Sequence, residues 1–197
     1  MAMLGLFIVE HAPAEEQVGS ASGDQGKEYA QEGKDAEQAL DYSAAISWFQ
    51  KAAELGDAES MSELGWIYFG AHDIPGAHLK DRDIPPRHFK DYTKAAFWFQ
   101  KAADVNYAPA ISQLAVMYNA DGSLGLPQDH AKAAQLFLKA AAMGDAQAMD
   151  NLGVMYMQGT GVPRDIWEAV HWWRKAAAVG GTSGQAAQSW LNIYDRK

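Results

Sequence analysis

Apolar residues recur along this chain in a helical rhythm. In "DYSAAISWFQKAAELG", Asp41 to Gly56, the residues Ala45, Trp48, Phe49, Ala52 and Ala53 fall at i, i+3, i+4, i+7 and i+8. That spacing lines one face of an α-helix and does not fit the alternation of a strand. The same pattern returns at one length in "DYTKAAFWFQKAADVN" (Asp91 to Asn106), "DHAKAAQLFLKAAAMG" (Asp129 to Gly144) and "DIWEAVHWWRKAAAVG" (Asp165 to Gly180). Four amphipathic helices are predicted. Each opens on an Asp placed to accept hydrogen bonds from the free N–H groups of a first turn, and Glu168 adds an acidic capping box to Asp165. Each closes at Gly56, Asn106, Gly144 or Gly180, where a left-handed residue can end a helix. Ahead of the first segment, "KDAEQAL" holds no Gly or Pro, so a helix starting near Asp35 and running through Asp41 is an alternative.

A second motif lies between these segments. Leu64, Gly65 and Tyr68 in "DAESMSELGWIYFG" return as Leu114, Ala115 and Tyr118, and as Leu152, Gly153 and Tyr156. The small residue lets a neighbouring helix come close while Leu and Tyr fill the space around it. Each unit therefore reads as an A helix followed by a B helix, and neither can bury its apolar face alone, so the pairs must stack. The resulting fold class is all-α, a solenoid of stacked antiparallel helix pairs. The expected layout is a degenerate N-terminal repeat or cap at 24–56, repeats at 57–106, 107–144 and 145–180, and a capping helix at 181–197. This amounts to three full pairs with a partial unit at each end.

Two stretches break the rhythm. Residues 1–23 hold a short apolar run, "MLGLFIV", then Ala12 and Ala14 at the spacing of a signal-peptidase site, and run on into the small, polar "EEQVGSASGDQG" (15–26), which reads as a linker. The first Lys is Lys27, so the usual positive start of a leader is missing. The segment is either a weak leader, which implies a periplasmic or secreted protein, or a tail that docks or frays, which leaves a cytoplasmic one. The other break is an insertion at 71–90, "AHDIPGAHLKDRDIPPRHFK", with His72, His78 and His88, three Asp and four cations. A loop this long in a compact repeat points to partner contact. No pair among these His and Asp73 has metal-site spacing, so no metal is assigned.

Charge and composition narrow the function. A formal net charge of -9 argues against nucleic acid and against an anionic membrane surface as partner. No apolar run reaches the roughly 20 residues that span a bilayer. Zero cysteines remove disulfides, thiolate nucleophiles and Cys-type zinc sites. No catalytic signature appears, no cofactor is implied, and the chain reads as a non-enzyme. Lys51, Lys101, Lys139 and Lys175 recur near helix C-termini, where a cation offsets the dipole. His171 reads as a groove or inter-helix contact.

The pattern Leu-Gly-x-x-Tyr followed by Ala-x-x-Trp-Phe-x-Lys-Ala-Ala resembles the Sel-one-like repeat, a relative of the tetratricopeptide repeat. "LGVMYMQGTGVPRDIWEAVHWWRKAAAVG", Leu152 to Gly180, carries it most fully, and "GKEY", Gly26 to Tyr29, is a faded copy of its Gly and Tyr slots. The resemblance implies a right-handed superhelix whose A helices line a concave groove that holds another protein, in adaptors found chiefly in bacteria. A cysteine-rich subgroup linked to penicillin binding carries paired Cys, and with none here that link does not transfer. Groove positions, counted from the motif Leu as in tetratricopeptide-type repeats, are Ser62, Trp66 and Phe69; Ser112, Val116 and Asn119; and Asp150, Val154 and Met157. Trp66 and Phe69 would be the anchors. Glu59, Glu63 and Asp150 suit a partner segment that pairs an apolar residue with Lys or Arg. Other readings are an immunity-type protein or inhibitor that occludes a secreted effector enzyme, and a hydrolase acting from the groove.

Overall fold

The computed structural model describes residues 14–70 and 90–194, with side chains from Gly23 onward. Among them the chain forms nine α-helices and no strand: α1 (Ala14–Gln38), α2 (Tyr42–Glu54), α3 (Ala58–Phe69), α4 (Tyr92–Asp104), α5 (Ala108–Asn119), α6 (His130–Ala142), α7 (Ala146–Gln158), α8 (Ile166–Val179) and α9 (Gly181–Tyr194). They stack as a solenoid of pairs, α1 with α2, α3 with α4, α5 with α6 and α7 with α8. The final helix, α9, packs on both α7 and α8.

Local chemistry sets the helix ends. Asp41, Asp91 and Asp129 each accept a backbone N–H three residues on, at 2.9–3.0 Å, and Asp165 accepts from Trp167 and Glu168. Asp57 and Asp145 do the same for α3 and α7. The alternative of one helix through Asp41 does not hold. After Gln38 the backbone turns at Leu40, whose φ of +62° closes α1 so that Asp41 can cap α2. Asn106 takes the left-handed conformation with φ +61°, as expected of a Gly substitute.

The core is one continuous row. Phe49, Phe99, Phe137 and Trp173, one from each B helix, are fully buried, with Leu64, Leu114 and Leu152 from A helices packed into the same cluster. A Cβ placed on Gly65 would stand 2.6 Å from the Phe99 ring, and one on Gly153 would run into the Trp173 indole. The small slot of the motif is therefore the seat of the next helix's fully buried ring.

The N-terminal unit corrects three expectations. Residues 15–26 are helical and belong to α1, not to a linker. Gly26, Ala30 and Gly33 form its buried face, and this packing overrides the weak helix propensity of a Gly- and Ser-rich segment. Gly33, not Gly26, fills the small slot, since a Cβ there would lie 2.5 Å from Phe49. The pair α1 and α2 is thus a fourth full pair and not a partial unit. Residues 1–13, and residues 71–89 with His72, His78 and His88, lie outside the described residues.

Candidate functional site

Helical geometry puts the nine groove positions on one face of α3, α5 and α7, but at different depths. Ser62 and Ser112 are buried and cannot meet a partner directly, which corrects the expectation for both. Counting along a helix assigns a side chain to a face, while its depth depends on how closely the neighbouring helices approach. Trp66, Phe69, Val116, Val154 and Met157 are half-buried against the core. Trp66 meets Phe99 edge-on at 5.5 Å and Phe69 at 5.9 Å, and Phe69 continues to Tyr92 at 5.1 Å. These two rings join α3 to α4 as well as facing outward. Asn119 Oδ1 lies 2.8 Å from His130 Nδ1 and ties the end of α5 to the start of α6.

Asp150 stands in the slot that Ser62 and Ser112 occupy in the other repeats. Burial pushes its carboxyl up to about 6, and its Oδ1 has no hydrogen-bond partner. At the other end of the row, Lys34 of α1 donates to Glu59 Oε1 of α3 at 3.0 Å. That hydrogen bond, with the charges of Glu59, Glu63 and Asp57, raises the Lys34 ammonium above its ordinary value, although burial acts against it. Burial first, then the same three carboxylates, raises the Tyr107 phenol. Negative potential thus gathers where α3 begins.

Charges sort by helix. Within α3, α5 and α7 the charged side chains are Glu59, Glu63 and Asp150, with no cation. Within α4, α6 and α8 six cations, Lys94, Lys101, Lys132, Lys139, Arg174 and Lys175, face two carboxylates, Asp104 and Glu168. The sum of -9 conceals this division. Assigning each charge to its helix in the sequence would have found it.

The recurring Lys do more than offset a dipole. Lys51 Nζ sits 3.9 Å from the Trp48 ring centre and Lys175 4.4 Å from that of Trp172, each three residues back on its own helix. His171, which the sequence reads as a groove or inter-helix contact, is exposed on α8 with the Trp172 ring of its own helix at 5.7 Å. Among the described residues no group of three His, Asp or Glu could hold a metal ion, and no helix is long and apolar enough to cross a membrane.

A family model for the Sel1 repeat matches residues 25–57, 77–107, 108–145 and 146–180. The chain belongs to the Sel1 repeat family. Solved structures of similar fold include c5321, a protective antigen of uropathogenic Escherichia coli displaying an SLR fold. It is 28% identical with a TM-score of 0.66 over 87% of this chain and 34% of that one. A Sel1 repeat protein from Oxalobacter formigenes is 31% identical with a TM-score of 0.58 over 76% of this chain and 38% of that one. The chain spans little more than a third of the length of either. Helicobacter pylori cysteine rich protein B shares the fold at 23% identity and a TM-score of 0.52, covering 75% of this chain and 92% of that one. A search of curated proteins finds no match.

The first Sel1 repeat match begins at residue 25 and so takes in both α1 and α2. Gly33 then stands within one residue of the place that Ala115 and Gly153 hold in their repeats. Sel1 repeat proteins mediate protein–protein interaction, and the typical member is a non-catalytic scaffold.

Proposed function

We propose that this Sel1 repeat chain is a non-enzymatic scaffold that holds a segment of a partner protein along the A-helix row, and that the segment pairs an apolar anchor with Lys or Arg. The sorting of charge carries the reading. The A helices α3, α5 and α7 present Glu59, Glu63 and Asp150 beside half-buried Trp66, Val116, Val154 and Met157, with no cation among them. A guanidinium or ammonium brought beside the half-buried Asp150 carboxylate would offset the penalty that burial places on its charge. Charge-assisted hydrogen bonds at a partly desolvated carboxylate are stronger than neutral ones. Asp150 is a cleaner probe than Trp66, because Trp66 also braces Phe99 and its loss would lower stability together with binding.

The test is selection from a displayed library of random peptides against the full chain. Recovered peptides are expected to combine Lys or Arg with a large apolar residue and to weaken as salt rises. Asp150→Asn is expected to lower their affinity roughly tenfold, the range of a hydrogen bond to a charged group. Peptides without basic residues, or affinities indifferent to Asp150→Asn, would overturn the reading.

A further inference from the structure

The outer face of the B helices presents a second surface, opposite in character to the A-helix row. On α4, α6 and α8 the positions two, three, six, nine and ten residues past the capping Asp are all exposed, and helical spacing sets them on one face. Three large apolar side chains stand there, one from each repeat: Phe97 at 53% exposure, Leu138 at 36% and Trp167 at 82%. Lys101, Lys139 and Lys175 recur on the same face, and Lys101 Nζ lies 5.2 Å from the centre of the Phe97 ring.

We propose that this face docks on an anionic phospholipid surface, with Trp167, Phe97 and Leu138 entering the headgroup region and Lys101, Lys139 and Lys175 meeting the lipid anions. The placement favours lipid over a folded acidic partner. Each apolar side chain belongs to a different repeat, and α4, α6 and α8 pack chiefly on α3, α5, α7 and α9 rather than on one another, so no single pocket of a rigid partner would take two of them. A fluid interface closes around each one separately. Trp sits at headgroup level because its ring is amphipathic, and Lys reaches the lipid anions with its stem lying along apolar surface. The net charge of the whole chain does not oppose this contact. Beyond a Debye length of about 8 Å in physiological salt the acidic row is screened, and on this face itself Glu168 stands against Lys94, Lys101, Lys132, Lys139, Arg174 and Lys175.

The experiment is co-sedimentation of the full chain with phosphatidylserine–phosphatidylcholine vesicles and with pure phosphatidylcholine vesicles, across a salt series. Binding is expected to the anionic vesicles, to fall with salt, and to be weak on phosphatidylcholine. Each cation near such a surface is worth about fivefold in partition, so Lys101→Glu, Lys139→Glu and Lys175→Glu together, which also add three repelling carboxylates, are expected to reduce binding by at least roughly a hundredfold. Trp167→Ser is expected to reduce it several-fold, and it alone decides the matter if the triple variant does not fold. Asp150→Asn is expected to leave vesicle binding unchanged, which separates this face from the groove. Absence of binding to anionic vesicles overturns the proposal. So does binding to soluble polyglutamate or duplex DNA as tight as to vesicles and indifferent to Trp167→Ser, which would assign the face to an acidic macromolecule.

Discussion

Replacing Gly153 by Ala sets two effects of opposite sign against each other. In an ordinary helix interior the change stabilises by about 0.5–1 kcal/mol, because Gly loses more backbone freedom on folding. In α7 the new methyl would enter the space of the Trp173 indole, which is fully buried. That ring cannot easily withdraw. It stacks on Trp190 at 5.4 Å with the planes 11° apart, and on Tyr194 at 5.7 Å, so a retreat would displace α9. Overpacking of this kind costs about 1–3 kcal/mol, leaving a net loss of up to about 2.5 kcal/mol after the propensity gain. For a chain of this size that lowers Tm by up to roughly 10 °C, read by circular dichroism. Repair follows from a neighbouring repeat. Ala115 holds the same slot in α5, and its paired helix α6 brings Phe137 where α8 brings Trp173. Trp173→Phe in the Gly153→Ala background should therefore cost less than in the wild type, by a coupling of about 1 kcal/mol. A Gly153→Ala protein that melts higher, or a double mutant whose effects simply add, would refute the reasoning.

Asp150→Asn tests the buried carboxyl through pH. Its folded value of about 6 lies above the ordinary 3.8, so ionisation weakens the fold, fully above about pH 6 and less as pH falls toward 4. The variant should melt higher than wild type at pH 7.5, with the gap closing by pH 4.5, and an equal gap at both would contradict this. Asp165→Ala removes the acceptor for two N–H groups of α8 and should cost about 1 kcal/mol by denaturant titration. Lys51→Met keeps the stem but removes the charge above Trp48, and should cost about 0.5–1 kcal/mol, less in effect than the Gly153 change.

What could be read from the sequence follows how local the chemistry is. The four Asp caps, the left-handed Asn106 and the B-helix core ring are each set within one or two helical turns, and all stand where the pattern placed them. The first helix was not legible because its packing face is Gly26, Ala30 and Gly33, small residues whose periodicity looks like a linker until a partner helix is laid on it. For the same reason the sequence points to Gly26, and not Gly33, as the motif Gly. Within the candidate groove, Trp66 and Asp150 are half-buried, whereas Ser62 and Ser112 are sealed by neighbouring helices whose approach no single helix encodes. The basic outer face was written in the chain throughout, but a summed charge averages two surfaces that point in opposite directions.

The stacked rings of Trp173, Trp190 and Tyr194 have an optical consequence. Three aromatic chromophores held within 5.4–6.4 Å of one another couple their transitions, so the part of the near-ultraviolet circular dichroism that is lost on Trp190→Leu reports on the last two helices. The far-ultraviolet backbone signal averages every helix. In a solenoid whose units contact only their neighbours, unfolding can begin at either end. Recording both signals during one denaturant ramp would time the loss of the C-terminal end against that of the whole array, with no label attached, and so give the direction in which this chain unzips.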